Sequence, residues 1–156
     1  MDGTVSAERC RMVENNALQH ASNYASGQDI RDRAFEFARR VVLLCQKLHD
    51  AGGVSRLMVP QLIACSTATS TQLEEARAAE SDPDFISKCC ISLKECRESW
   101  TRLRICVSCK LGPSSEVTEL VQEGSELIAI INTIIRNKRS KMKLNQPRRR
   151  YLGAPS

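Results

Sequence analysis

Aromatic residues are scarce: one tryptophan, two tyrosines and three phenylalanines make up 4% of the 156 residues. Strands favour aromatic and β-branched side chains, so this poverty argues against a sheet protein and suits the aliphatic seams of helix bundles. Histidine is scarcer still. His20 and His49 are the two in the chain and stand far apart, so no histidine pair completes a zinc site and no Glu-x-x-His motif offers a di-iron centre. Long apolar runs are missing as well. The richest stretch, Leu127 to Ile135, is interrupted by Asn132 and is far short of the roughly 20 residues that span a bilayer. The chain opens on Asp2 and Gly3 and continues polar, without an apolar signal core, so a cytoplasmic protein with no membrane partner is expected. There is no glycine-rich phosphate loop and no serine–histidine–acid arrangement. With no site that satisfies a nucleophile, a base and an oxyanion donor together, no enzymatic activity and no cofactor are expected.

Cysteine, by contrast, is plentiful at eight residues. Cys45, Cys65, Cys89, Cys90, Cys96 and Cys106 fall on or beside apolar helical positions, where a free thiol behaves as a small hydrophobe. Reduced thiols are therefore expected rather than a disulfide framework. Cys106-x-x-Cys109 lacks the second ligand pair that zinc requires, and it lies at a helix end rather than at the helix start that would activate a thiolate.

The apolar pattern has helical period through most of the chain. Residues 1–28 show no sustained periodicity and are read as an arm, with a transient helix near Ala7 to Leu18. From Asp29, a capping residue, Ile30, Ala34, Phe37, Val41, Leu44 and Leu48 form a 4-3-4-3-4 seam that Gly52-Gly53 stops. Met58, Leu62, Cys65, Thr69, Gln72, Ala76 and Ala79 mark a second helix whose hydroxyl-rich middle, Ser66 to Gln72, needs packing to hold it. Ser81-Asp82-Pro83-Asp84 reads as a capped start, followed by Ile86, Cys89, Leu93, Cys96, Trp100, Leu103 and Val107. Gly112-Pro113 ends that helix, Ser114 or Ser115 caps the next, and Val117, Leu120, Gly124, Leu127, Ile131 and Ile134 form its seam. Four long amphipathic segments on short turns predict an all-α, antiparallel up-down-up-down four-helix bundle over residues 29–140. Phe35, Val42 and Leu43, with Ile128, Ile130 and Ile135, widen two of the stripes beyond what one bundle buries, which points to a homo-oligomer.

Charge is sorted along the chain. Arg136, Lys138, Arg139, Lys141, Lys143, Arg148, Arg149 and Arg150 are eight basic residues with no acid after them, and they account for the formal net charge of +5. The rest of the chain holds 15 basic and 18 acidic residues, a net of −3. Glu116, Glu119, Glu123 and Glu126 gather at the start of the fourth helix. An antiparallel hairpin would set them beside Arg97, Arg102 and Arg104 of the third, so cross-helix pairs are expected there. The basic tail, residues 141–156, has a plain reading as a solvated, solubilising end. Its sharper reading is a phosphate-binding arm. Guanidinium forks and Tyr151, an aromatic for base stacking, suit RNA or single-stranded DNA, and Pro147 discourages continuous helix.

Three stretches carry a resemblance: DIRDRAFEFARRVVLLCQKL from Asp29, PQLIACSTATSTQLEEARAAES from Pro60 and DFISKCCISLKECRESWTRLRI from Asp84. Together they resemble the bacterial "four helix bundle protein" family, whose founders are encoded in intervening sequences within genes for large-subunit ribosomal RNA. The resemblance runs from about Asp29 to Arg136. It implies a four-helix bundle assembled as a ring-like homopentamer. A related branch comprises accessory proteins of diversity-generating retroelements that bind a reverse transcriptase and nucleic acid. Two functions follow as alternatives: a nucleic-acid or ribosome-associated module acting through its tail, or a scaffold presenting a ring surface to a partner protein such as a reverse transcriptase. Ala64 stands where many relatives have arginine, Ser70 where they have glycine, Gln72 where they have asparagine, and Arg102 where they have an aromatic residue, so contacts made by those side chains in relatives do not carry over.

Overall fold

The computed structural model describes residues 29–144; residues 1–28 and 145–156, with the Ala7–Leu18 stretch, Pro147, Arg148, Arg149, Arg150 and Tyr151, lie outside them. Four helices follow one another: α1 (Ile30–Ala51), α2 (Gly53–Arg77), α3 (Asp82–Ser108) and α4 (Ser114–Leu144). No strand occurs among the described residues. Each helix packs on the next, and α4 returns to α1, the least close of the four neighbouring approaches. The architecture is the expected antiparallel bundle. The last helix runs four residues past the expected boundary at 140.

The ends are set by local chemistry. Asp29 accepts the backbone N–H of Arg31 at 3.0 Å, supplying a partner to one of the donors that a helix start leaves open. Gly52, at φ 72°, breaks α1 and lets the chain reverse. Ser81 accepts the N–H of Asp84 at 3.3 Å, and Pro83 occupies the first turn of α3, where no N–H is needed. At the far end of α3, Leu111 N–H reaches back to the Cys106 carbonyl at 2.8 Å while Lys110 takes the left-handed conformation at φ 54°. Ser114 and Ser115 lie inside the first turn of α4 instead of capping it; the Pro113 carbonyl accepts Val117 N–H at 3.0 Å.

Phe37, Val41, Leu44, Leu62, Leu103, Leu127 and Ile131 lie in the buried core, as the seam predicts. Leu93 and Trp100 do not reach its centre. They are half-buried at the flank, and Val107 is exposed, whereas Ser92, Ser99 and Cys106 are fully buried. The two stripes share Cys89, Cys96 and Leu103, and α2 decides between them. Its small Cys65, Ser66 and Thr69 bring α3 close enough for Ser92 to donate to the Thr69 carbonyl at 2.8 Å. Only small side chains fit across so close an approach, so the larger ones turn to the α3–α4 edge. The α2 hydroxyls cause no conflict: Thr67, Thr69 and Thr71 donate to carbonyls of their own helix at 2.7, 2.8 and 3.0 Å.

The acidic start of α4 meets α1, not α3. Lys47 holds Glu116 at 2.5 Å, Arg40 holds Glu119 at 2.7 Å, and Arg33 donates to Glu123 at 2.8 Å and also pairs with Glu126. Arg102 instead pairs with Glu98 of its own helix at 2.8 Å. This ladder closes the widest seam of the bundle, where long charged side chains span a gap that aliphatic ones leave open. Ile130 and Ile135 are buried within the chain's own core, so the surplus of α4 is absorbed. That of α1 is not: Phe35 is 63% exposed.

Candidate nucleic-acid interface

The last turns of α4 run past the start of α1 alongside the beginning of α3, where antiparallel packing sets Lys138 beside Asp82. Helical spacing divides the basic cluster between two faces. Arg136, Arg139 and Lys143, at i, i+3 and i+7, line one concavity of about 460 Å³ together with Asn132, Thr133 and Ser140, and no acidic residue contributes to its lining. Thr133 and Ser140 donate their hydroxyls to the Ala129 and Arg136 carbonyls at 2.9 and 3.0 Å. The cationic donors facing the hollow therefore come from the two arginines and the lysine, with the Asn132 amide beside them.

Lys138 is committed elsewhere. Its ammonium sits 2.6 Å from Asp82 Oδ1 and 5.5 Å from the centroid of the Phe85 ring, an ion pair and a cation–π contact that fasten α4 to the start of α3. Arg139 also leans on α3, donating to Cys90 Sγ at 3.5 Å. Lys141 is exposed outside the lining of the concavity. Thus three of the five described basic residues share a surface and one is consumed by structure. Sequence reasoning missed Asn132, Thr133 and Ser140; their polar character was visible, but which face they shared with the basic residues depends on where α3 packs.

A helix C-terminus carries partial negative charge, which works against an anion placed on the axis. The hollow avoids this by lying on the helix flank, and Lys141 and Lys143 in the last turn oppose the dipole. Meanwhile the acids of the α4 start are neutralised by α1, so the basic end is the uncompensated feature of this helix.

The cysteines contribute no comparable site. Cys106 is fully buried and Cys109 exposed, so the two thiols of the Cys-x-x-Cys face different surroundings. Burial pushes the thiols of Cys45 and Cys96 up to about 12 and that of Cys89 to about 11, which keeps them protonated and unreactive. Among the described residues no group of three histidine, cysteine or acidic side chains is placed to hold a metal, and no helix is long and apolar enough to cross a membrane.

Comparison with known proteins adds two findings. The profile of a family described as "23S rRNA-intervening sequence protein" matches residues 27–133. Among solved structures, the chain is similar to a protein of unknown function from the S23 ribosomal protein family of Bacteroides thetaiotaomicron. The TM-score is 0.64 at 26% identity, covering 69% of this chain and 99% of that one. No curated protein matches. The matched range ends before Arg136, so the basic cluster lies beyond the part shared with the family.

Proposed function

The chain belongs to the family of 23S rRNA-intervening sequence proteins, and from that premise we propose that it is a non-enzymatic, nucleic-acid-associated bundle that holds RNA or single-stranded DNA by its basic end. The observation that carries this reading is the clustering of Arg136, Arg139 and Lys143 around one acid-free hollow. Three more arginines and Tyr151 follow within the next eight residues of sequence. Guanidinium forks engage phosphate oxygens two at a time, and a tyrosine ring stacks on any base, so the contact is with backbone and π-faces and reads little sequence. Self-association belongs to the proposal, as the resemblance to ring-forming homopentamers implies. Ile91 and Ile105 on the outer side of α3, 40% and 44% exposed, offer a surface for a neighbouring copy, and several basic ends on one particle multiply weak contacts.

Fluorescence anisotropy with short single-stranded RNA and DNA tests the reading. Phosphate-driven binding falls steeply as salt rises from about 50 mM to about 200 mM and barely distinguishes sequences. Truncation after Ile135 should abolish it while leaving helicity close to wild type. Undiminished binding by the truncated chain refutes the assignment. Absence of binding by the full chain even at low salt favours the alternative, a scaffold for a partner protein such as a reverse transcriptase. Sedimentation equilibrium tests the oligomer, and a monomer at micromolar concentration rejects it.

A further inference from the structure

The outer surface between α1 and α2 is a groove that the bundle leaves uncovered. Phe35, half-buried Val42 and Leu43 form one wall and Thr67, Ser70 and Thr71 the other, enclosing about 400 Å³. Past Val42 it continues into a second hollow of about 590 Å³ walled by Val59 and Ile63 and reaching His49. From Phe35 to His49 the groove runs about 21 Å at 1.5 Å per helical residue. Its chemistry is apolar. The Thr67 and Thr71 hydroxyls are spent on their own helix and turn methyl groups outward, while Arg39 on the rim is tied to Glu36 at 2.7 Å. Such a surface has little to offer a phosphate and much to offer an apolar helix.

We propose that residues 10–24 of the same chain occupy this groove as a short helix folded back antiparallel to α1. Two features of the chain point to this occupant. Cys10, Val13, Ala17, Ala21 and Tyr24 lie at 3-4-4-3 spacing, one face of a helix of about 22 Å that matches the groove in length. Ser26-Gly27-Gln28 then supplies a turn immediately before the Asp29 cap.

The register agrees. In the α1–α2 hairpin, partners lie symmetrically about Gly52: Cys45 Sγ meets the Val59 carbonyl, seven residues to either side, and Arg31 approaches Glu74 at 3.5 Å. The same symmetry about Gly27 sets Ala17 against Phe37 and Ala38, Val13 against Val41 and Val42, and Cys10 against Leu44 and Cys45. Those are the stretches of α1 that border the groove. The ladder is weak because its side chains are small, and a helix this short is marginal by itself in water. Small residues are nevertheless what a close approach to Ala38 and Ser70 requires. The groove would supply the packing that the segment lacks, and the segment would cover Phe35. This inference stands apart from nucleic-acid binding and uses the opposite surface chemistry.

Hydroxyl-radical footprinting of the full-length protein tests it, with Phe35 as reporter and Ala17→Lys/Ala21→Lys as the undocking variant. Both substitutions precede the bundle, and sedimentation velocity of the same samples reports assembly. Docking predicts weak labelling of Phe35 in the wild type, several-fold stronger labelling in the variant, and no change in assembly. Strong labelling in both proteins overturns the proposal by showing an open groove. Weak labelling in both overturns it in favour of a second copy or another partner as occupant. The reciprocal variant, Phe35→Lys, alters a side chain already exposed on the bundle and should speed tryptic cutting after Arg9 and Arg11; an unchanged rate also overturns docking.

Discussion

Trp100 of α3 lies against the bare Cα of Gly124 in α4. A methyl group there would stand 3.3 Å from Trp100 Cδ1, 3.5 Å from its Cβ and 3.7 Å from Phe37 Cε2. The indole covers the helix backbone where a side chain would hold it off, and the Arg104 guanidinium stacks 4.5 Å from the centre of its ring. Two effects oppose each other on substitution. Alanine gains about 1 kcal/mol of helix propensity over glycine, and a half-buried tryptophan can yield by the few tenths of an ångström required. Gly124→Ala should therefore shift stability by less than about 1 kcal/mol, whereas Gly124→Leu should cost about 1–3 kcal/mol by overpacking. Urea denaturation of the two variants separates these outcomes.

Leu103 and Leu93 should differ sharply. Leu103 is fully buried on the α3 seam, and its replacement by alanine should cost about 2–5 kcal/mol through lost transfer energy and the cavity left behind. Leu93 sits half-buried at the flank, so Leu93→Ala should cost less, on the order of 1 kcal/mol. Equal losses in chemical denaturation would mean that α3 is rotated from its described position.

Asp29 should make the bundle sensitive to acid. Its carboxylate accepts from the Arg31 guanidinium and then from the Arg31 backbone N–H, which hold its pKa down at about 2, below its usual 3.8. A depressed folded-state pKa contributes stability that is present above the ordinary carboxylate value and lost as pH falls toward about 2. Asp29→Ala should cost about 1 kcal/mol at neutral pH through the lost cap, while Asp29→Asn keeps the cap and should flatten the decline between about pH 4 and pH 2. Melting temperatures measured across that window decide the matter.

The thiols should react in two classes. Cys109 is exposed and should be modified quickly by a chromogenic disulfide reagent in the native protein. Cys45, Cys65, Cys89, Cys96 and Cys106, buried and held protonated by desolvation, should wait for unfolding. All eight should titrate in denaturant without reductant. A shortfall of two would reveal a disulfide.

Among the basic residues, Arg136→Ala/Arg139→Ala/Lys143→Ala should weaken nucleic-acid binding and flatten its salt dependence, each lost phosphate contact lowering the slope by about 0.7 for a single strand. Lys138→Ala should act mainly on stability, because its ammonium already serves Asp82 and Phe85. Reversal of the two effects would place the contact surface on the other side of α4.

The four helices, their caps and most of their seams were determined by the sequence itself. Asp29, Ser81 and Gly52 act within a few residues of their own position, and a 3-4 apolar repeat has one geometric solution per helix. Three matters waited for the tertiary structure. Whether Ser92 and Ser99 or Leu93 and Trp100 faced the core depended on how closely the small residues of α2 let α3 approach. The partners of Glu116, Glu119, Glu123 and Glu126 depended on α1, some 70 to 90 residues away in the chain, because the α4–α1 gap admits long charged side chains. And the division of the basic run between an open hollow and a structural clamp depended on Asp82 and Phe85 meeting Lys138, since a helix has several faces and only the packing of its neighbours decides which of them stays open to a ligand.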